Sequence, residues 1–165
     1  MQKASSVQDK WRQNLPFSLI TLLIVAADHL SKVWVRSYPE GETIFEAGFF
    51  QLNHISNTGA AFGLFQGQSF ALTIVALIGV GALLFYAVLV YRRFPLLNSK
   101  LGKSALSLIL GGTIGNLIDR LLLGRVTDFI DFGFWPAFNV ADSAITVGVI
   151  LFAYSFLLLS RAKTE

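Results

Sequence analysis

Cysteine is absent from the 165 residues, which removes disulfides, thiolate nucleophiles and Cys-ligated metal sites and leaves the redox compartment open. Histidine is scarce, with only His29 and His54 present. They form no H-E-x-x-H motif, and a lone His beside an apolar run reads as a hydrogen-bonded structural residue rather than a metal ligand. Charge is scarce too, at 14% of residues, against about 25% in an ordinary soluble domain. Low-complexity tracts, charged tails and long-period repeats are missing. The net charge of +3 and pI near 9.4 would admit a nucleic-acid partner. The basic residues flank apolar runs instead of forming a stripe, so no nucleic acid is expected.

What remains is 54% hydrophobic, with fifteen Phe and a mean hydropathy of +0.62. That composition describes a single membrane-embedded domain over 1–165, an all-α polytopic protein. Four transmembrane helices are expected at about 15–36, 70–91, 101–120 and 138–159. A cleavable signal peptide is the rival for the first, since Val25-Ala26-Ala27 would pass as a cleavage site. Three further spans and the apolar Val33-Trp34-Val35 speak against it. Between spans one and two, residues 38–68 hold no Lys or Arg. Thr43-Ile44-Phe45 and Phe49 to Ile55 have the β-branched and aromatic content of short strands, so a small β-rich subdomain resting on the interface is expected there.

Four spans put both termini on one side. Nine of the 13 Lys and Arg lie in the two tails and the middle loop, on that side, and only Lys32, Arg36, Arg120 and Arg125 sit at the far ends. The positive-inside rule then places both termini in the cytoplasm, with 38–68 and 124–143 facing outward together.

Three carboxylates in that last stretch, Asp128, Asp131 and Asp142, need a reason beside apolar spans. Residues four apart share a helix face, so Gly111, Gly115 and Asp119 form one row and Gly112, Asn116 and Arg120 another. The glycines read as close helix packing; no strand or Gly-Lys-Ser/Thr makes them a phosphate loop. Asp28 and Lys32 have the spacing of an internal ion pair. Ser31 and Lys32 point about 100° apart, against a Ser/Lys hydrolase. Asp142 is placed either to cap the fourth helix or to work, and Asn139 stands three residues before it. If spans three and four are antiparallel neighbours, Asp128 and Asp142 meet near the outer interface. Two carboxylates about 4 Å apart repel by about 4 kcal/mol at an effective dielectric near 20, and so tend to share one proton near neutral pH. One can then act as general base on water while the other acts as general acid on a carbonyl.

Five ordered motifs carry a resemblance. Asp28-x-x-Ser31-Lys32, Asn57-Thr58-Gly59-Ala60-Ala61-Phe62, Gly111-Gly112-x-x-Gly115-Asn116-Leu117-x-Asp119-Arg120, Val126-x-Asp128-Phe129 and Phe138-Asn139-x-Ala141-Asp142-Ser143 together resemble the lipoprotein signal peptidases, bacterial signal peptidase II. The resemblance implies an aspartyl endopeptidase of the bacterial inner membrane, without metal or cofactor. It would remove signal peptides from diacylglyceryl-modified prolipoproteins by cutting before the lipid-modified cysteine. It makes Asp128 and Asp142 the catalytic pair, with Asp28, Asn57, Gly59, Asn116, Asp119, Arg120 and Asn139 lining or bracing the site. Asp131 matches no catalytic position. A monomer bound by globomycin-type inhibitors is also implied. His29, Gly63 and Thr127 depart from the residues more usual at their positions, and none of these departures removes a carboxylate. A proton-coupled carrier would spread its carboxylates through the membrane's depth and repeat its spans, and neither pattern is present. A purely structural membrane subunit is the remaining alternative.

Overall fold

The computed structural model describes residues 7–60, 64–85 and 99–161, with side chains from 15 onward to 158. Helix α1 (Val7–Val35) leads to strands β1 (Thr43–Ala47) and β2 (Phe50–Asn57), then helix α2 (Ser69–Phe85). Helix α3 (Lys100–Leu123), strand β3 (Val126–Asp131) and helix α4 (Val140–Arg161) complete the chain.

Among the described residues, three helices are long and apolar enough to cross a bilayer: Leu15–Val35, Lys100–Leu123 and Val140–Leu158. The chain is therefore a multi-pass membrane protein. Helix α2 is apolar but has 17 described residues, about 26 Å at 1.5 Å per residue, where a bilayer core takes about 30 Å. The expected end of the second span, 86–91, lies outside the described residues. The outward faces of the helices carry Leu22, Ile78 and Phe156, all at least 60% exposed, as lipid-facing surfaces should.

Helix α3 is the most buried helix and packs between α1 and α4. The two rows read from its sequence face these two neighbours. A Cβ at Gly115 would lie 2.5 Å from Asp28 Oδ2 of α1, and one at Gly112 would strike the Ala141 carbonyl oxygen of α4. Only a residue without Cβ permits both approaches, so the packing reading of these glycines is correct. Ser99 caps the N-terminus of α3 by accepting from Gly102 N at 2.9 Å. Gly124, at φ 69°, closes its C-terminus with its N–H on the Arg120 carbonyl.

The strands form an antiparallel sheet in the order β1-β2-β3. Two of them are the expected ones, and β3 is an addition inside the 124–143 stretch. Its Val-Thr-Asp-Phe-Ile-Asp sequence has the β-branched content of a strand. Ile55 pairs with Asp128 and Asn57 with Val126, with a register irregularity between Leu52 and Ile55. After β3 the chain reverses and Phe138 bonds back to Ile130 in both directions, at 2.8 and 3.0 Å. Phe132 fills the turn with its ring against Phe49, Phe50, Phe134 and Phe138. This reversal delivers the start of α4 to the flank of Asp128. His54 is structural as expected, donating from Nδ1 to the Tyr38 carbonyl at 2.7 Å.

Candidate active site

Asp128 is 2% exposed. Its Oδ2 accepts from Asn57 Nδ2 at 2.9 Å and its Oδ1 from Asn139 Nδ2 at 2.7 Å. The first donor comes from β2 across the ladder, the second from the mouth of α4. Asp142 Oδ1 accepts from Asn116 Nδ2 of α3 at 2.8 Å, and its Oδ2 accepts from the Asn139 backbone N–H at 3.3 Å. Asn139 Oδ1 in turn accepts from Asp142 N at 2.9 Å. Residues 139 and 142 thus form a reciprocal cap of the kind that ties a helix N-terminus together. The two readings of Asp142 are compatible: one oxygen serves the cap while the other is held by α3.

Asn139 bonds both carboxylates, one through its side chain and the other through its backbone, and is wholly buried. Burial pushes the Asp128 carboxyl up from 3.8 to about 6, and the Asp142 charge adds to the rise. The hydrogen bonds from Asn57 and Asn139 and the charge of Lys32 oppose it. Loss of solvation outweighs those donors because the carboxyl is almost sealed from water.

The pair opens into a cleft of about 590 Å³ whose walls include Asn57, Asn116, Arg120, Trp135, Ser143 and Val147. Arg120 donates from an NH2 nitrogen to the Gly59 carbonyl at 3.0 Å, and Gly59 N donates to Asn57 Oδ1 at 2.8 Å. The segment 57–59 is thereby fixed at the cleft wall. A Cβ at Gly59 would come within 2.5 Å of the Leu64 carbonyl oxygen, so the wall has no room for one.

Asp28 and Asp119 lie behind the cleft and do not line it. Asp28 accepts from the Ala141 N–H at 2.9 Å and pairs with Lys32 at 2.8 Å, the expected ion pair. Asp119 accepts from Arg36 at 2.9 Å and from Thr127 N at 2.9 Å, which holds the residue next to Asp128. Asp131 stands apart, bound by Asn53 at 2.9 Å and by Gly133 N at 2.8 Å. Lys32, Arg36 and Thr127 were not singled out for the site from sequence. Of these, Lys32 carried a signal, since a cation inside a span needs polar partners. Among the described residues, no group of three His, Cys, Asp or Glu is placed to hold a metal ion. The cleft presents two carboxylates supplied with fixed N–H donors.

Fold and cleft together define a multi-pass membrane protein with a carboxylate pair where its helices meet its sheet. The profile of the Signal peptidase (SPase) II family matches residues 20–158. The chain is 46% identical over 154 residues to a lipoprotein signal peptidase of Dehalococcoides mccartyi, covering 93% of this chain and 96% of that one. It is 40% identical over 146 residues to the Moorella thermoacetica protein of the same name, covering 87% and 94%. A solved bacterial membrane enzyme superposes with a TM-score of 0.81 at 30% identity, over 91% of this chain and 92% of the other. A second gives 0.73 at 31%, over 86% and 92%. The chain belongs to the signal peptidase II family and is a peptidase.

Proposed function

We propose that this protein is the aspartyl endopeptidase that removes signal peptides from diacylglyceryl-modified prolipoproteins, with Asp128 and Asp142 as its catalytic pair. One observation carries the reading. Asn57, Asn116 and Asn139 each turn an amide NH2 toward one of these two carboxylates, an arrangement that serves carboxylates held in defined positions beside a cleft.

Asp142, in the first turn of a helix, takes the role of general base. Asp128, the more desolvated, carries the shared proton. Asp142 takes a proton from water as the water oxygen bonds to the scissile carbonyl carbon, and Asp128 gives its proton to the carbonyl oxygen. The tetrahedral diol then returns a proton from one hydroxyl to Asp128 as the C–N bond breaks, and Asp142 protonates the leaving nitrogen. The pair ends with one proton, as it began. Arg120 and Asn57 keep the wall of the cleft rigid against the substrate backbone. The apolar lining from α4 suits a peptide that enters from the bilayer with its acyl chains still among lipid.

The full arrangement is four spans in the bacterial inner membrane, with both termini cytoplasmic and the pair toward the outer face. The protein works as a monomer on prolipoprotein in the lipid phase, and globomycin-type inhibitors occupy the same cleft. The test is cleavage by the protein in proteoliposomes of one precursor with and without diacylglycerol on its cysteine. Release of the signal peptide from the modified form alone is expected. Equal cleavage of both forms would contradict the substrate reading.

A further inference from the structure

We propose that Lys32 is a positioning residue of the peptidase reaction, acting through Asn116 to keep Asp142 in its base form. The inference rests on the aspartyl reading above. Lys32 is wholly buried, which is rare for lysine unless it is paired. Its Nζ lies 2.8 Å from Asp28 Oδ2, 3.7 Å from Asp119 Oδ2 and 2.8 Å from Asn116 Oδ1. Charge pairing alone does not explain the third contact. Asp28 has Lys32, and Asp119 has Arg36 at 2.9 Å, so the acids on this side are already matched. The other charged groups around the relay are Asp128, Asp142 and Arg120, on the cleft side.

Each site amide has two possible orientations, and what its oxygen accepts decides between them. Asn57 Oδ1 accepts from Gly59 N, and Asn139 Oδ1 accepts from Asp142 N. The short lock on each is a backbone donor within three residues, and Gln66 Nε2 is a longer second donor to Asn57 at 3.4 Å. Asn116 Oδ1 accepts from Lys32 at 2.8 Å and from Asn139 Nδ2 at 3.1 Å. The Asn139 NH2 has two hydrogens for three acceptors, the others being Asp128 Oδ1 at 2.7 Å and the Thr127 carbonyl at 3.4 Å. Lys32 is therefore the shorter of the two locks on Asn116, and among the described residues it is the one charged donor to any of the three amide oxygens.

With its oxygen held by Lys32, Asn116 can only donate to Asp142. Without Lys32 only the longer bond from Asn139, at 3.1 Å, holds the amide, and a reversal would turn its oxygen toward Asp142. Two acceptors at that distance are compatible only when a proton sits between them, which makes Asp142 an acid and removes the base.

The experiment compares wild type with Asp28→Asn/Lys32→Met in single-turnover cleavage of a diacylglyceryl-modified precursor across pH. The double change removes both buried charges while position 28 keeps an acceptor for Ala141 N, and thermal unfolding confirms that the protein is folded. A fall in kcat of about 100-fold is expected, as for misplacement of a reacting group. KM should stay within about twofold, and the pH optimum should move upward, because an Asp142 that faces an amide oxygen in place of an N–H donor holds a proton more tightly. In an Asn116→Ala background the same change should cost no more than about twofold, since residues acting through one contact are non-additive. An unchanged pH optimum, or a full additional loss in the Asn116→Ala background, would overturn the proposal. Asp128→Asn in the same assay keeps the two readings apart. Turnover retained there would refute the aspartyl mechanism itself, whereas its loss with Lys32 variants at wild-type rate and pH profile would refute only the positioning role.

Discussion

Replacing Asp128 by Asn should change the pH dependence of stability in a direction fixed by its surroundings. Its carboxyl is raised from 3.8 to about 6 in the folded protein, chiefly by burial. Between those values the unfolded chain has already lost the proton that the folded chain still holds. Wild type therefore loses stability as pH rises through that window, and the loss levels off above about 6. The full penalty is about 3 kcal/mol at about 1.4 kcal/mol per pH unit. About 2.5 kcal/mol of it should accumulate between pH 4 and pH 8. The amide at position 128 places an NH2 against the donor from Asn57 or Asn139, a cost of about 1 to 3 kcal/mol that does not vary with pH. The quantity to measure is the stability of the variant minus that of wild type, by denaturant titration in mild detergent at a series of pH values. It should rise by about 2.5 kcal/mol from pH 4 to pH 8. A flat difference, or one that falls with pH, would refute the claim that burial dominates this carboxyl.

Two further outcomes follow from single contacts. Asn57→Ala removes a donor that favours the ionised form of Asp128, so the alkaline limb of kcat/KM, expected near 6 in wild type, should move to higher pH with a rate loss of about tenfold; a limb that stays in place would show that Asn57 does not act on Asp128. Gly112→Ala pushes a methyl group onto the Ala141 carbonyl and should cost about 1 to 3 kcal/mol, read as lowered thermal stability in detergent, whereas Gly81→Ala meets nothing within 4 Å and should be tolerated.

Much of this arrangement was legible in the sequence because a bilayer restricts the choices. Long apolar runs must be helices, and the four-residue spacing through Gly112, Asn116 and Arg120 set which side chains of α3 would share a face. The pairing of Asp28 with Lys32 followed from the same geometry. Strand β3 was less legible, because six residues between a glycine turn and an aromatic loop show too little alternation, and pairing with β2 decides their conformation. The double role of Asn139 was hidden as well. Its side chain reaches Asp128 only because Phe138 pairs back onto Ile130, a contact between residues in different local environments. The task of Lys32 beyond its ion pair depends on the orientation of one amide across two helices, which no spacing rule expresses.

The central claim is that Asp128 and Asp142 work as one unit, and three variants test it most directly. Single-turnover cleavage of a diacylglyceryl-modified precursor should fall by at least about 10³-fold in Asp128→Asn and in Asp142→Asn alike. The double variant should be no slower than either, as for residues that act together. A single variant that keeps more than about a tenth of the wild-type rate, or a double variant whose loss is the product of the two single losses, would contradict it.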